Sequence, residues 1–154
     1  MGIREDNANK TQERKVKVLW ITLKGIAADI PKLNPQEKNV VARMISNSIF
    51  DMRTKWSGME SQALIDARAK NPKITKCPEH YYPRQVAGAR ILQHLERYGG
   101  ISKAKLDEFL DVFTRVHYTT SEENQLLKPY QKVDTFISPE HSYEAAGITL
   151  VKVK

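Results

Sequence analysis

Apolar residues recur along most of this chain at a period close to 3.6 residues. The spacing predicts amphipathic helices, and Ser, Asn, Gly and Pro residues mark where they begin and end. The predicted helices cover residues 16–30, 35–56, 60–69, 84–98, 102–113 and 121–127, with a short one after 138. The polar residues 1–13 carry no apolar stripe, and we expect them to form a frayed tail.

Three short stretches interrupt the helical pattern. The stretches 74–80 and 115–119 contain β-branched and aromatic residues, and residues 148–153 alternate between apolar and polar side chains. Such runs predict short strands. The chain has 154 residues and contains neither an internal repeat nor a low-complexity linker. We therefore predict a single α+β domain over residues 1–154, mostly helical.

The charge balance is moderately basic, because 25 Lys and Arg residues against 18 Asp and Glu residues give a formal net charge of +7. An excess of this kind favours a polyanionic partner such as DNA, since Lys and Arg side chains displace counterions from phosphates on binding. An ordinary basic protein with a solvated surface would have the same composition. Composition alone therefore leaves both interpretations open.

Several classes of protein are excluded by what the sequence lacks. Cys77 is the only cysteine, which excludes an intrachain disulfide and a zinc site built from several cysteines. No segment approaches membrane-spanning length, so we expect no membrane partner and a cytoplasmic location. Neither type of glycine-rich phosphate-binding loop is present, and we therefore expect no nucleotide cofactor.

Two segments carry side chains suited to phosphodiester hydrolysis. The first predicted strand ends in Glu79 and His80, and the second leads through Thr120 into a helix start that contains Asn124. Histidine is the usual general base because its pKa lies near neutrality. Mg²⁺ and similar cations prefer oxygen ligands and usually take only one or two from the protein. If the segments meet, they predict one divalent cation, Mg²⁺ or Mn²⁺, beside a base.

This pair of segments resembles the HNH, or ββα-metal, endonuclease family. In that family a strand ends in Asp-His or Glu-His followed closely by Pro, here Glu79-His80 and then Pro83. A second strand leads through Thr and acidic residues to a metal-binding Asn, here Asn124. The resemblance implies that His80 is the general base and that Glu79 and Asn124 bind the metal. It also implies a small ββα-metal-like core over residues 74–130, with amphipathic helices before and inside it.

The chain departs from the family pattern in three respects. The two halves of the motif are separated by a predicted helical insertion over residues 84–113, longer than the usual connection. The family's Asn that orients the base has no counterpart, since its neighbourhood holds Arg115 and His117 instead. His117 is a candidate for orienting the site residues. The family's cysteine pairs are also absent, which excludes a zinc-stabilised subtype.

The features above predict a metal-dependent DNA endonuclease, similar to small phage-encoded or mobile members of the family. A phage-encoded enzyme of this kind would work in the host cytoplasm. The basic residues expected to contact DNA phosphates are Arg53, Lys55, Arg84, Arg115 and Lys128. The alternative is a non-catalytic helical protein that binds DNA, or an adaptor that inhibits another protein. The sequence leaves this alternative open.

Overall fold

The computed structural model describes residues 2–154, which form seven α-helices and four β-strands. The helices are α1 (Ile3–Ile26), α2 (Pro35–Phe50), α3 (Gln62–Lys70), α4 (Arg84–Tyr98), α5 (Lys103–Phe113), α6 (Ser121–Leu127) and α7 (Pro139–Ala145). The strands are β1 (Lys55–Ser61), β2 (Cys77–His80), β3 (Arg115–Thr119) and β4 (Leu150–Lys152). Single turns of 3-10 helix lie at Ile30–Lys32 and Lys128–Tyr130. The predicted fold class, a mostly helical α+β protein, is confirmed.

Four helices, α1, α2, α4 and α5, share the main hydrophobic core. Each contributes one apolar stripe, which is why the 3.6-residue pattern was informative. The fully or nearly fully buried side chains of this core include Leu19, Leu23, Ile45, Ile49, Ile91, Leu95, Leu106 and Leu110. The closest approach is between α2 and α4, where Gly88 lies directly against the carbonyl of Ala42 and against Ser46. Only a residue without a side chain fits at this crossing.

The four strands form one sheet in the order β2-β3-β1-β4. β1 and β3 are parallel, whereas β2 is antiparallel to β3 and β4 is antiparallel to β1. The sheet is therefore mixed, with a parallel central pair and one antiparallel strand at each edge. Helices α4 and α5 lie in the connection between β2 and β3. The units β2, β3 and α6 follow one another as strand, strand and helix, but they belong to a larger sheet.

Strand β1 was missed by the sequence analysis, which assigned Trp56 to the end of a helix and began the next helix near residue 60. The strand carries mostly polar side chains and Gly58, whose φ is +81°, so it shows no alternating apolar pattern. The register with β3 shifts between Trp56 and Glu60, which marks a bulge. Its central position is set by pairing on both sides rather than by local preference.

The N-terminal segment is also more ordered than predicted. Residues 3–13, expected to be a frayed tail, form the first turns of α1. Glu5 and Asp6 lie in the first turn, where negative charge is favourable. The Gln12 side chain accepts a hydrogen bond from the backbone N–H of Arg53 at 3.0 Å. This contact with the segment after α2 could not be seen from local sequence.

The glycine at the α2–α4 crossing provides a test of the helical layer. Gly88→Ala should lower the free energy of unfolding by about 1–3 kcal/mol, because the added Cβ overlaps the backbone of α2. Gly25→Ala is the matched control, since Gly25 lies in α1 with open space around it. There the same change should raise stability by about 0.5–1 kcal/mol. Urea denaturation of both variants measures the difference, and a Gly88→Ala protein as stable as the wild type would contradict this crossing.

Candidate active site

The pairing of β2 with β3 decides which side chains can meet. Glu79 pairs with His117 and His80 with Val116. Side chains alternate between the two faces of a strand, and directly paired residues share a face. One face of the hairpin therefore carries Glu79 and His117. His80 lies on the opposite face.

Helix α6 covers the face that carries Glu79. It begins with a capping box in which the Thr120 side chain accepts from the Glu123 backbone and Glu123 accepts from the Thr120 backbone. The Glu123 carboxylate is buried and also accepts a hydrogen bond from the Ser61 hydroxyl at 2.5 Å. This bond ties α6 to the end of β1. Asn124 follows directly, and its Nδ2 donates to the Sγ of Cys77 at 3.2 Å.

Glu79 is a half-buried carboxylate without a basic partner. Its Oε1 accepts a hydrogen bond from Nε2 of Gln131 at 3.0 Å. Within residues 2–154, the ion pairs do not include Glu79. Burial raises the pKa of Glu79, and the hydrogen bond from Gln131 offsets part of that rise. The carboxylate is thus desolvated without receiving a compensating positive charge.

His80 lies at the end of β2 in a different environment. Its ring centroid is 5.6 Å from that of Phe50, the last residue of α2. Burial lowers the pKa of His80, and the nearby charge of Arg84 lowers it further. The imidazole is therefore neutral at pH 7, the form that can accept a proton.

The three residues predicted to form the site do not meet at one point. Glu79 and Asn124 share a face of the hairpin, but Asn124 contacts Cys77, two residues before Glu79 and about 7 Å along the strand. His80 lies on the other face. Among residues 2–154 no three His, Cys, Asp or Glu side chains are grouped closely enough to hold a metal ion.

His117 is the histidine that shares a face with Glu79, and it is buried with 2% of its surface exposed. Its Nδ1 is hydrogen-bonded to the Ser57 hydroxyl, and its Nε2 has no partner. The rings of Tyr81 and Tyr143 lie against it, with centroids at 4.5 Å and 5.7 Å. Burial, with a smaller effect from Arg115, lowers the pKa of His117 to about 4. It lies on the face opposite His80, so it is not placed to orient that ring.

These neighbours of His117 were not identified from the sequence. Ser57 lies on the strand that was missed, and Tyr143 comes from α7, far along the chain. The pattern of Tyr81, Tyr82 and Pro83 gave no signal that only Tyr81 would face His117. Register is required to assign the face, and local sequence does not supply it.

The predicted DNA-contacting residues differ in how freely their charges are presented. Lys55 and Arg115 both bind Asp111, with N–O distances of 3.3 Å and 3.0 Å. The hydrogen bonds that they donate, with a smaller effect from their charges, lower the pKa of that carboxyl group. Arg84 donates a hydrogen bond to Asn47. Its guanidinium carbon also lies 4.2 Å from the ring centroid of Phe50.

Arg53 and Lys128 are both exposed, and they lie far apart in the sequence. Nη1 of Arg53 lies 3.4 Å from Oδ1 of Asn9. Lys128 begins the 3-10 turn after α6. The five basic residues therefore lie on several different elements, and no single helix or strand carries them all.

Comparison with protein-family models, with curated proteins and with solved structures gives no match for this chain. Within residues 2–154, the helices are all too short or too polar to cross a membrane. Functional inference therefore rests on the contacts described above.

The low pKa of His117 predicts a dependence of stability on pH. In the unfolded chain His117 binds a proton near its ordinary pKa of 6.5, whereas in the folded protein it does so only near 4. Stability should fall as the pH drops through this window, by as much as about 3 kcal/mol from this residue. Urea denaturation across the window measures the slope.

Variants must be compared to isolate the contribution of His117, because burial also lowers the pKa of His80 and the pKa of His94. His117→Gln should be less stable than the wild type at neutral pH but should have a shallower slope. His141→Gln, which leaves His117 in place, should retain the wild-type slope. An unchanged slope in His117→Gln would show that this histidine is not buried as described.

Proposed function

We propose that this protein is a metal-dependent DNA endonuclease of the HNH type. The observation that carries the proposal is the hairpin of β2 and β3 followed by α6, in which Glu79 and Asn124 lie on one face and His80 ends the strand. In this proposal Glu79 and Asn124 bind one divalent cation, Mg²⁺ or Mn²⁺. His80 acts as the general base.

The residues fit a hard cation on chemical grounds. Glu79 is a desolvated carboxylate whose partner is the neutral amide of Gln131. A buried carboxylate of this kind gains most from a positive charge nearby. The carboxylate and the carboxamide of Asn124 both offer oxygen, the ligand that Mg²⁺ and Mn²⁺ prefer. When bound, the cation would neutralise charge that develops on the phosphate.

The protein must exchange weak contacts to bring these ligands together. Asn124 contacts Cys77 through its Nδ2, and sulfur is a weak hydrogen-bond acceptor. Its Oδ1 is therefore available after rotation of the side chain. Gln131 must similarly leave Glu79. Both contacts are single hydrogen bonds between flexible side chains, each contributing about 1 kcal/mol.

His80 is suited to accept a proton from water. Its imidazole is neutral at pH 7, and the strand ends there, where the chain bends through Tyr81 and Tyr82 before α4 begins. Arg84, in the first turn of α4, is exposed beside it and can contact a phosphate. The chain thus offers a base and an anion contact at the same strand end.

A non-catalytic DNA-binding protein is the second candidate. The observation that favours it is the location of His80 on the face opposite Glu79. A base and a metal on opposite faces of a straight strand cannot act on the same phosphate, so cleavage requires the bend at the end of β2 to turn His80 towards the metal, whereas binding alone does not. The net charge of +7 is common to both candidates.

Nicking of supercoiled plasmid distinguishes them. The endonuclease should nick plasmid with Mg²⁺ or Mn²⁺ and lose the activity with chelator. His80→Ala should reduce the rate by about 100-fold or more, since general bases contribute factors of this order. His141→Ala, in α7, is the control and should retain activity. Binding to plasmid without cleavage in any metal would favour the second candidate.

Metal binding can be measured without activity. Mn²⁺ should raise the melting temperature of the wild-type protein, because a ligand at 100 times its Kd adds about 2.7 kcal/mol to stability. Glu79→Gln and Asn124→Ala should each reduce the shift, whereas His80→Ala should keep it. A shift that is the same in all four proteins would place the metal elsewhere.

A further inference from the structure

A groove on the protein surface lies between α4 and α5. It has a volume of about 550 Å³, a size typical of ligand sites. We call it the α4–α5 groove, and its polar and aromatic lining includes Arg90, His94, Arg97, Tyr98, Lys105 and Phe109. None of these residues was predicted from the sequence to belong to a site.

The lining of the groove follows from helical spacing. Arg90, His94 and Arg97 are at i, i+4 and i+7 on α4, so they share one face. Lys105 and Phe109 are at i and i+4 on the facing side of α5. The opposite stripes of both helices fill the main core. The groove is thus formed by the two outward faces, and Arg90 and Arg97 are about 10 Å apart along α4.

The charge in the groove is positive and largely uncompensated. Among the described residues, Arg90 and Arg97 form no ion pair with a carboxylate. Nη1 of Arg90 donates a hydrogen bond to Oε1 of Gln93 at 3.3 Å. Lys105 pairs with Glu108 at 2.9 Å, which leaves the two guanidinium groups as the net charge. Guanidinium groups match phosphate geometry well.

Aromatic rings lie between these cations. The His94 ring is 4.6 Å from Tyr98 and 5.5 Å from Phe109. Tyr98 is 63% exposed, although it is a large aromatic residue. The guanidinium carbon of Arg97 lies 5.3 Å from the Tyr98 ring centroid. Exposed rings beside cations are the combination on which unpaired nucleic-acid bases stack.

We infer that the α4–α5 groove binds single-stranded DNA, with phosphates on Arg90 and Arg97 and a base stacked on Tyr98. Stacking requires unpaired bases, because a duplex keeps the faces of its bases stacked inside the helix and presents only phosphates, sugars and base edges. An acidic peptide would satisfy the charges but would leave the exposed ring unused. The choice of DNA over RNA rests on the proposed nuclease function.

The position of the groove connects it to the hairpin. Tyr82, which lines the groove, is two residues after His80, and α4 begins two residues later. A strand bound along α4 would therefore extend from the end of β2. This arrangement would hold an unpaired strand on one side of the candidate site, in addition to any contact from Arg84.

Fluorescence anisotropy of a labelled oligothymidylate in chelating buffer tests the inference without cleavage. The double variant Arg90→Gln/Arg97→Gln should weaken binding by about 10-fold or more. It should also make the slope of log K against log salt concentration shallower by about 1.4, since each phosphate contact on a single strand contributes about 0.7 to that slope. Tyr98→Leu should weaken binding by about 10-fold. The control Lys70→Gln/Lys73→Gln removes two exposed charges outside the groove and should change binding by less than roughly threefold.

Four outcomes would overturn the inference. The first is an arginine double variant that binds no more weakly than the lysine control. The second is a duplex of the same sequence length that binds as tightly as the single strand. The third is displacement by polyglutamate as effective as displacement by oligothymidylate. The fourth is tighter binding of oligouridylate, which would assign the groove to RNA.

The test is separate from that of the nuclease. His80→Ala should bind oligothymidylate as the wild type does while losing nicking activity. If all the proteins bind oligothymidylate and none nicks plasmid, the binding groove would be supported and the endonuclease proposal would be contradicted. If the wild type nicks plasmid and the arginine double variant binds oligothymidylate normally, the endonuclease proposal would be supported and the binding groove would be contradicted.

Discussion

The antiparallel pairing of β2 with β3 is the interaction on which the candidate site depends. It joins segments that are separated in sequence by the whole of α4 and α5. Closing a connection of this length has an entropic cost, but the cost grows slowly with length. Here the intervening helices also pack into the main core through Ile91, Leu95, Leu106 and Leu110. The insertion is therefore a folded part of the helical layer, and it holds the two strand ends in place.

The second constraint is the buried carboxylate of Glu123. It receives hydrogen bonds from the Ser61 hydroxyl and the Thr120 backbone, so one side chain connects β1, the end of β3 and α6. A buried carboxylate is costly unless its oxygens are satisfied. The two hydrogen bonds, both accepted by Oε2, fix the first turn of α6 over the sheet, and that turn carries Asn124. Thr120, through which the sequence predicted the start of this helix, thus helps to determine where the candidate ligand lies.

The sequence predicted elements well where local signals decide the structure. The caps at Asn34, Ser102 and Thr120 each begin a helix in the structure, because each side chain accepts a backbone hydrogen bond. Strand β1 was missed because its residues are polar and its stability comes from two neighbouring strands. The residue of β3 that shares a face with Glu79 was also beyond local sequence, since the register of β2 with β3 decides that it is His117.

Local sequence also does not show which charged side chains pair with each other, and this pairing changes which basic residues are expected to bind a polyanion. Lys55 and Arg115 were predicted to contact DNA, but each forms an ion pair with Asp111. Arg90 and Arg97 were not singled out, although within residues 2–154 they lack a carboxylate partner and lie beside an exposed ring. A cation already paired with a carboxylate gains less from a phosphate, because the existing bond must be given up. A polyanion should therefore be attracted more strongly to Arg90 and Arg97 than to Lys55 and Arg115, and in the proposed nuclease the hairpin would supply the chemistry.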